Sequence, residues 1–161
     1  MRIWGRPKVS VRRAVISDCD ALADIHASAF RRGWSNAEFE ALLSQPGTHA
    51  LIAHYRSAFG SQAPAGFILY RLIGDEAEVL SVAVAPDCRR RGIGRSLVDE
   101  ALRQLYRDGA RSIHLEVEET NAAAITLYRR VEFRESGRRA GYYSQGRETP
   151  GSALVMLRQL R

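Results

Sequence analysis

The residues with the clearest chemical potential form a short loop, 89–94, in which three arginines precede two glycines separated by an isoleucine. An apolar run rich in β-branched residues, 79–84, precedes this loop and predicts a buried strand. After the loop, apolar residues recur at helical spacing through 97–105 and predict an amphipathic helix. The first turn of a helix offers unpaired N–H groups, and glycines let a phosphate approach the backbone closely. Because the arginines add positive charge, the stretch predicts a pyrophosphate-binding loop.

Two familiar nucleotide-binding patterns fit this loop poorly. A dinucleotide-binding fingerprint requires a third glycine three residues after Gly94, where Leu97 stands instead. A P-loop requires lysine followed by serine or threonine after the last glycine, but the chain has Arg95 and Ser96 there. At this point a plain glycine-containing turn with solvated arginines explains the residues equally well.

The pattern that remains is Arg-x-x-Gly-x-Gly after an apolar strand, formed by Arg89, Gly92 and Gly94. It resembles the coenzyme A loop of the GNAT (Gcn5-related) acyltransferases. The resemblance implies that main-chain amides of the loop hold the pyrophosphate of acetyl-CoA. We therefore expect acetyl-CoA as the co-substrate.

A second group of polar residues lies about 30 residues further along the chain. Asn121, Ala124, Ile125 and Tyr128 are spaced i, i+3, i+4 and i+7, so they share one face of a predicted helix. The rise over those seven residues is about 10 Å, enough to line an extended ligand such as a pantetheine arm. Glu116 belongs to the strand that leads into this helix and can face the same groove.

Acetyl transfer to an amine needs two proton movements. The amine must lose a proton, and an unperturbed α-amino group has a pKa of about 7.7 to 8.0, so a carboxylate can serve as base. The departing thiolate must gain a proton, and a phenol with a pKa near 10 is a suitable donor. Glu116 and Tyr128 fit these two roles. On pattern alone, a solvent-facing strand glutamate and a core tyrosine explain them as well.

The resemblance covers nearly the whole chain from Val9 onward and becomes narrower in the segments LEVEETNAAAITLYRRVEF and GRRAGYY. Both are similar to segments of the RimI-type branch of the GNAT family, the ribosomal-protein alanine N-acetyltransferases. This resemblance implies that Glu116 is the general base, that Tyr128 is the general acid and that Asn121 contacts acetyl-CoA.

The same resemblance implies the remaining site residues. Main-chain groups bind the acetyl and pantetheine end at Val82, Ala83 and Val84, and the pyrophosphate at Arg89, Arg90, Arg91, Gly92, Ile93, Gly94 and Arg95. The expected peptide-site residues are Phe30, Trp34, Tyr142 and Tyr143. For Phe30 and Trp34, packing of their loop onto the core is an equally good explanation.

Two segments depart from the branch. Glu132 precedes Phe133 where the branch has glycine, and glutamate resists the left-handed conformation that glycine readily takes at a helix end. We therefore expect a longer or strained helix end there. Residues 144–152 replace the usual acidic stretch and contain Pro150 and Gly151. This second departure makes the acceptor harder to assign than the chemistry.

The element pattern predicts an α/β (α+β) domain with the GNAT fold, built on one mixed, mostly antiparallel sheet of about seven strands flanked by about four helices. We expect a basic lead-in at 1–8 and a single domain at 9–161. Ser17 is the expected cap of the first helix, and His26 is expected at the edge of the core. The predicted strands are 9–15, 48–55, 64–73, 76–84, 111–118, 135–140 and 152–157, and the predicted helices start near 17, 35, 94 and 121.

Composition excludes several function classes. No stretch reaches the roughly 18 apolar residues needed to cross a bilayer, so we expect a cytoplasmic protein without membrane contact. The two cysteines and four histidines lack ligand spacing, so no metal site is expected. A net charge of +6 favours a polyanionic partner, whether RNA, the ribosome or a phosphorylated cofactor.

Three functional hypotheses follow. The first is an acetyl-CoA-dependent acetyltransferase for the N-terminal α-amine of alanine in a small-subunit ribosomal protein, with direct transfer, because neither cysteine falls at a nucleophile position. The second keeps the fold and co-substrate but changes the acceptor to lysine, a polyamine, an antibiotic or another small amine. The third is a non-catalytic basic RNA- or ribosome-binding module. The absence of a basic strand interleaved with aromatic residues argues against this third hypothesis.

Overall fold

A computed structural model describes residues 8–142 and 151–161, with only the backbone at 140–142. The described residues form seven strands and four α-helices. In chain order these are β1 (Lys8–Arg13), α1 (Cys19–Ala29), α2 (Asn36–Leu43), β2 (Thr48–Arg56), β3 (Gln62–Ile73), β4 (Glu76–Val84), α3 (Ile93–Arg107), β5 (Ser112–Glu118), α4 (Ala122–Arg130), β6 (Arg134–Tyr142) and β7 (Gly151–Gln159).

All seven strands belong to one sheet, in the order β1-β2-β3-β4-β5-β7-β6. Among the described pairs, β4 and β5 run parallel and the other neighbours run antiparallel. Short turns join β2, β3 and β4, which suits antiparallel neighbours, whereas α3 makes the crossover that a parallel pair requires. The predicted mixed, mostly antiparallel sheet with four helices is confirmed.

Helices cover both faces of the sheet and bury two separate apolar clusters. The larger cluster contains the apolar side of α3 and α4 together with Ile113, Leu115 and Val117 of β5. The smaller cluster contains α1 and α2 residues packed on Phe67 and Ala83. Because strand residues alternate between the faces, β2, β3 and β4 each contribute to both clusters.

The long helix α3 forms as its sequence predicts. Its buried residues are Ile93, Leu97, Val98, Ala101, Leu102 and Leu105, a stripe along one side. Gly109 follows the helix with φ of +90°, a conformation that glycine adopts without steric cost. The helix therefore ends where the sequence indicates and presents its N-terminus to the 89–94 loop.

Several predicted boundaries of strands and helices were wrong. β1 begins at Lys8 and ends at Arg13, so the strand predicted at 9–15 begins one residue earlier and ends two residues earlier. Ser17 does not cap α1, because Ile16–Asp18 forms a 3₁₀ turn before the helix. The last two strands extend further than predicted, to Tyr142 and from Gly151 to Gln159.

Asp18 explains the changed start of α1. Its carboxylate accepts a hydrogen bond from the main-chain N–H of Val15 at 2.8 Å and forms an ion pair with Arg12 at 2.7 Å. The Arg12 guanidinium holds the pKa of Asp18 below its ordinary value. The contact of Asp18 with Arg12 of β1 thus fixes the turn, and local helix-capping rules do not take such a contact into account.

The strained helix end expected at Glu132 is present. Glu132 has φ of +70°, in the left-handed region. The N–H of Phe133 donates to the carbonyl of Tyr128, and the N–H of Glu132 donates to the carbonyl of Arg129, both at 3.0 Å. This is the Schellman pattern, in which glycine is the usual residue at the left-handed position. Arg158 supports the turn by donating to the Val131 carbonyl at 2.7 Å.

Replacing Glu132 by glycine is expected to stabilise the fold by about 1 kcal/mol, because glycine adopts positive φ without strain. The ion pair that would be lost, Glu132 with Arg158 at 3.4 Å, contributes little because the Glu132 side chain is 79% exposed. Urea unfolding of both proteins measures the difference. Glu132→Ala is the matched control, since it removes the carboxylate and keeps the strain. Equal stability of the glycine and alanine variants would show that the strain is not significant.

Candidate active site

The strands β4 and β5, which are neighbours in the sheet, pair over only part of their length. The described hydrogen-bond pairing of β4 with β5 covers Glu76–Glu78 opposite Ser112–His114. Beyond these residues β4 continues to Val84 against β3, and β5 continues to Glu118 against β7. The main chain of Val82, Ala83 and Val84 therefore borders a gap rather than a neighbouring strand. Such a gap leaves N–H and C=O groups available to a ligand.

A β-bulge in β4 accompanies this opening. Leu69 lies opposite Ser81 and Tyr70 lies opposite Val79, so Leu80 is the extra residue. A bulge bends its strand and increases the local twist. It lies between the paired part of β4 and the part that borders the gap, which explains why the two strands separate there.

The 89–94 loop is shaped to bind an anion with its backbone. Arg90 and Gly92 both have positive φ, +63° and +75°, and Gly92 is the N-cap of α3. Within the described residues, the main-chain N–H groups of 89–95 have no backbone acceptor. Unpaired N–H groups in a left-handed turn at a helix N-terminus form a concave donor site for phosphate. The loop lies at the end of β4 that borders the gap.

The arginine side chains of this loop differ in their surroundings. The Arg91 guanidinium lies 4.5 Å from the ring centroid of Tyr55 on β2, a cation–π contact. Arg95 forms an ion pair with Asp99 at 3.1 Å. Arg89 and Arg90 are exposed, and no partner is described for either among the residues of the structure. These two guanidinium groups are thus available to a ligand.

Gly94 allows α3 and α4 to pack closely. A Cβ added at this position would lie 3.2 Å from Cδ2 of Leu127 on α4. That distance is tighter than nine in ten real Cβ contacts, so the Leu127 side chain would have to shift by a few tenths of an ångström. Glycine at 94 therefore serves helix packing as well as access to the backbone.

Glu116 lies on the β5 face opposite the large cluster. Its neighbours Leu115 and Val117 are buried, whereas its own side chain is 42% exposed. The Nη2 atom of Arg139, on β6, lies 3.2 Å from Oε1 of Glu116. Buried residues alternate with more exposed ones along β5, and this alternation turns Glu116 toward the side of the sheet that holds α1 and α2.

Tyr128 lies inside the large cluster, on the other side of the sheet. Only 7% of it is exposed, and its ring centroid lies 5.7 Å from that of Phe133. Burial raises the pKa of Tyr128 to about 12, because the phenolate is poorly solvated there. The phenol therefore stays protonated at neutral pH, as a proton donor must.

Glu116 and Tyr128 thus belong to opposite faces of the sheet, and the gap between β4 and β5 connects those faces. Asn121 joins the two elements as the N-cap of α4, with Oδ1 accepting the Ala124 N–H at 3.2 Å. Its amide nitrogen has no described partner within the part of the chain that the structure covers. The helix start predicted near residue 121 is confirmed, and a ligand contact through the amide remains a prediction.

The aromatic residues expected at the peptide site pack around a histidine. His26 is 3% exposed, and its ring stacks on Phe30 at 4.4 Å and on Trp34 at 4.5 Å. Its Nδ1 accepts the main-chain N–H of Trp34 at 3.0 Å, and burial lowers the pKa of His26. Phe30 is 43% exposed and borders the outer surface. The side chain of Tyr142 and the whole of Tyr143 lie outside the described residues.

Three contacts at this site were not predicted from the sequence. His26 was expected only as a core-edge residue, yet it contacts both aromatic residues of the 30–34 loop. Arg91 stacks on Tyr55, which is 36 positions away in the sequence. Arg139 forms an ion pair with Glu116, which is 23 positions away. The GRRAGYY segment, already noted as similar to the family, was the available signal for Arg139.

Two features are absent from the described residues. These residues contain no group of three or more His, Cys, Asp or Glu side chains arranged to hold a metal ion. In the same residues, no helix is long and apolar enough to cross a membrane.

Comparison with known proteins identifies relatives by sequence. A family model described as Acetyltransferase (GNAT) family matches residues 19–133. The ribosomal protein bS18-alanine N-acetyltransferase of Escherichia coli (strain K12) is 40% identical over 94 residues, which are 57% of this chain and 62% of that protein. The match therefore spans less than two thirds of the length of this curated relative.

Solved structures share the fold. The ribosomal-protein-S18-alanine N-acetyltransferase from Escherichia coli has a TM-score of 0.82 at 26% identity, covering 95% of this chain and 94% of that chain. A Salmonella typhimurium protein solved with its cofactor acetyl-CoA has a TM-score of 0.77 at 22% identity, covering 95% and 94%. The second likeness concerns the fold alone. The family match covers most of the chain, from α1 to the end of α4, and so the chain belongs to the GNAT acetyltransferase family.

Proposed function

We propose that this protein transfers the acetyl group of acetyl-CoA directly to the N-terminal α-amine of a protein that begins with alanine. The observation that carries the proposal is the gap between β4 and β5. It ends at a loop of unpartnered N–H groups and has Glu116 on one face of the sheet and Tyr128 on the other.

The residues present fit acetyl-CoA. The N–H groups of 89–95 and the exposed Arg89 and Arg90 suit a pyrophosphate, because they combine a concave set of donors with positive charge. The main chain of Val82, Ala83 and Val84 offers strand-like hydrogen bonds to the amides of a pantetheine arm. Asn121 adds a side-chain amide at the other wall of the gap. Acetyl-CoA supplies the activated acetyl thioester.

Glu116 serves as the base of the reaction. It accepts a proton from the acceptor ammonium, directly or through water, and this frees the nitrogen lone pair to bond to the acetyl carbon. Its exposure on the α1 and α2 side of the sheet suits an acceptor that arrives from solvent. Neither Cys19 nor Cys88 is needed as a nucleophile in this direct transfer.

Tyr128 serves as the acid. When the carbon–sulfur bond breaks, the phenol donates its proton to the departing sulfur, and the acetylated amine and free thiol result. The phenol lies on the α3 and α4 side, so base and acid approach the reacting atoms from opposite faces of the sheet. Because the base and the acid are on opposite faces, each can exchange its proton with the reacting atoms from its own side of the sheet.

An alanine N-terminus of a small-subunit ribosomal protein is the acceptor that we propose. The Escherichia coli relative, 40% identical over the matched 94 residues, is named for that activity toward bS18. Phe30 stacks on His26 and keeps one face exposed, and this apolar face would contact the small side chain of the acceptor alanine. Such an acceptor implies a cytoplasmic enzyme.

Thiol release from acetyl-CoA tests the proposal. We expect turnover with a peptide that begins Ala-Arg and none with the same peptide carrying a blocked N-terminus. Spermidine and an amino acid with a free ε-amine serve as alternative acceptors. Turnover with these alone would assign the enzyme to small amines. Steeply salt-dependent RNA binding without any thiol release would indicate the non-catalytic module.

Gly92→Ala should weaken acetyl-CoA binding about tenfold, because alanine resists φ of +75° and would reshape the N–H groups of the loop. Isothermal titration with acetyl-CoA measures the affinity. Gly74→Ala is the matched control: Gly74 also has positive φ, +62°, and likewise has nothing within 4 Å of an added Cβ, but it lies in the β3–β4 turn. Equal acetyl-CoA affinity of the two variants would contradict the role of the loop.

A further inference from the structure

The predicted base has a charged partner on another strand. Nη2 of Arg139 lies 3.2 Å from Oε1 of Glu116, and the two side chains are 51% and 42% exposed. Oε2 of Glu116 has no described partner in the part of the chain that the structure covers. The carboxylate is thus held on one oxygen and available on the other.

Strand register explains how Arg139 reaches Glu116. β7 separates β6 from β5, and Ala153 on β7 lies opposite both Arg139 and Glu118. Directly opposed residues share a face, and Glu116 is two residues from Glu118, so all of these side chains lie on one face. Because Ala153 has only a methyl group, the long Arg139 side chain can cross β7 above it.

Other charged groups lie on this face among the described residues of the neighbouring strands. β5 contributes Glu118 and His114, and β6 contributes Arg134 in the row of His114. β4 contributes Glu78, which lies opposite His114 and pairs with Arg71 at 3.1 Å. The β7 residues between β5 and β6, Ala153, Val155 and Leu157, carry no charge. Arg139 is the guanidinium with a described ion pair to Glu116.

We propose that Arg139 is a positioning residue that prevents Glu116 from holding the acceptor as an ammonium ion. This inference rests on the proposed function, because it takes Glu116 as the base. An unpaired carboxylate binds an ammonium ion strongly and so favours the unreactive form of the amine. A fixed guanidinium beside it repels that positive charge and favours the neutral amine. It also fixes the rotamer of Glu116, with Oε2 left for the acceptor.

The pH dependence of the transfer rate distinguishes this positioning role of Arg139 from a merely structural role. Without Arg139 the bound amine keeps its proton to higher pH, so transfer at neutral pH slows although the peptide binds no more weakly. At a pH above the pKa of the amine the rate recovers. A general loss of structure would instead lower the rate at every pH.

Single-turnover rates of acetyl transfer across pH 6 to 10, at saturating peptide, test the proposal. For Arg139→Gln we expect the acidic limb to move up by about one pH unit, which is about a tenfold loss near pH 7 and recovery above about pH 9. Peptide KM should stay unchanged or fall. Arg139→Lys keeps the charge and should retain most of the wild-type profile.

Arg138→Gln is the matched control. Arg138 is the neighbouring arginine, but it pairs with Glu119 and Glu135. We expect its profile to match the wild type. A rate lowered equally at all pH values in Arg139→Gln, or a peptide KM raised tenfold, would overturn the proposal.

Glu116→Gln separates this inference from the function on which it rests. If Glu116→Gln is inactive and Arg139→Gln behaves as wild type, the inference fails and the proposed function stands. If Glu116→Gln is fully active, the base assignment itself fails.

Discussion

Glu116→Gln is expected to lower the turnover number about 10²- to 10³-fold at neutral pH. Glutamine preserves the shape of the side chain but cannot accept the proton of the acceptor amine. Acetyl-CoA affinity should be unchanged, because Glu116 lies on the α1 and α2 side of the sheet, whereas the loop that fits pyrophosphate begins α3. Steady-state kinetics with an Ala-Arg peptide, together with acetyl-CoA titration, measures both quantities.

Glu118→Gln is the control for this variant. Glu118 lies two residues further along β5, on the same face, and is also exposed. The Glu118→Gln variant loses one negative charge in the same region but keeps Glu116, so we expect near wild-type turnover. Equal losses in the two variants would indicate a general effect of charge on this face rather than proton transfer by Glu116.

Tyr128→Phe is expected to lower turnover about 10- to 100-fold, because the departing thiolate loses its proton donor. The ring keeps its place against Phe133, so folding should be little affected. The pKa of Tyr128, raised to about 12, adds a pH prediction. The phenol stays protonated well above neutrality, so this group should cause no fall in the wild-type rate below about pH 11.

Tyr106→Phe provides the matched control for the phenol. Tyr106 lies on α3, is 53% exposed and stacks with Arg161 at 4.2 Å. Removing its hydroxyl should leave turnover unchanged. Wild-type turnover by Tyr128→Phe would exclude Tyr128 as the acid. So would a fall in the wild-type rate near pH 9 that disappears in Tyr128→Phe.

The sequence predicted best what local chemistry determines. The capping box of Ser35 and Glu38 sets the start of α2, with the main-chain N–H of Glu38 donating to Ser35 Oγ at 3.2 Å. Strict alternation of apolar and polar residues on β5 sets the face of Glu116, and Gly109 sets the end of α3. In each case a few neighbouring residues are sufficient, so no knowledge of the fold was needed.

Contacts between distant elements could not be read in this way. The Arg12 ion pair with Asp18 replaced the expected Ser17 cap, because a strand residue competes for the helix start. The gap depends on a three-residue parallel pairing and on the bulge at Leu80, neither of which has a local pattern. The contact of Arg139 with Glu116 depends on a register shift between Glu135 and Gly137 of β6.

The most direct test of α-amine acetylation is tandem mass spectrometry of a peptide that begins Ala-Arg and contains one internal lysine, after incubation with the protein and acetyl-CoA. We expect one acetyl group on the α-nitrogen of alanine and one thiol released for each peptide modified. Acetylation of the lysine side chain alone, or an unmodified peptide while acetyl-CoA binds normally, would contradict the function that we propose.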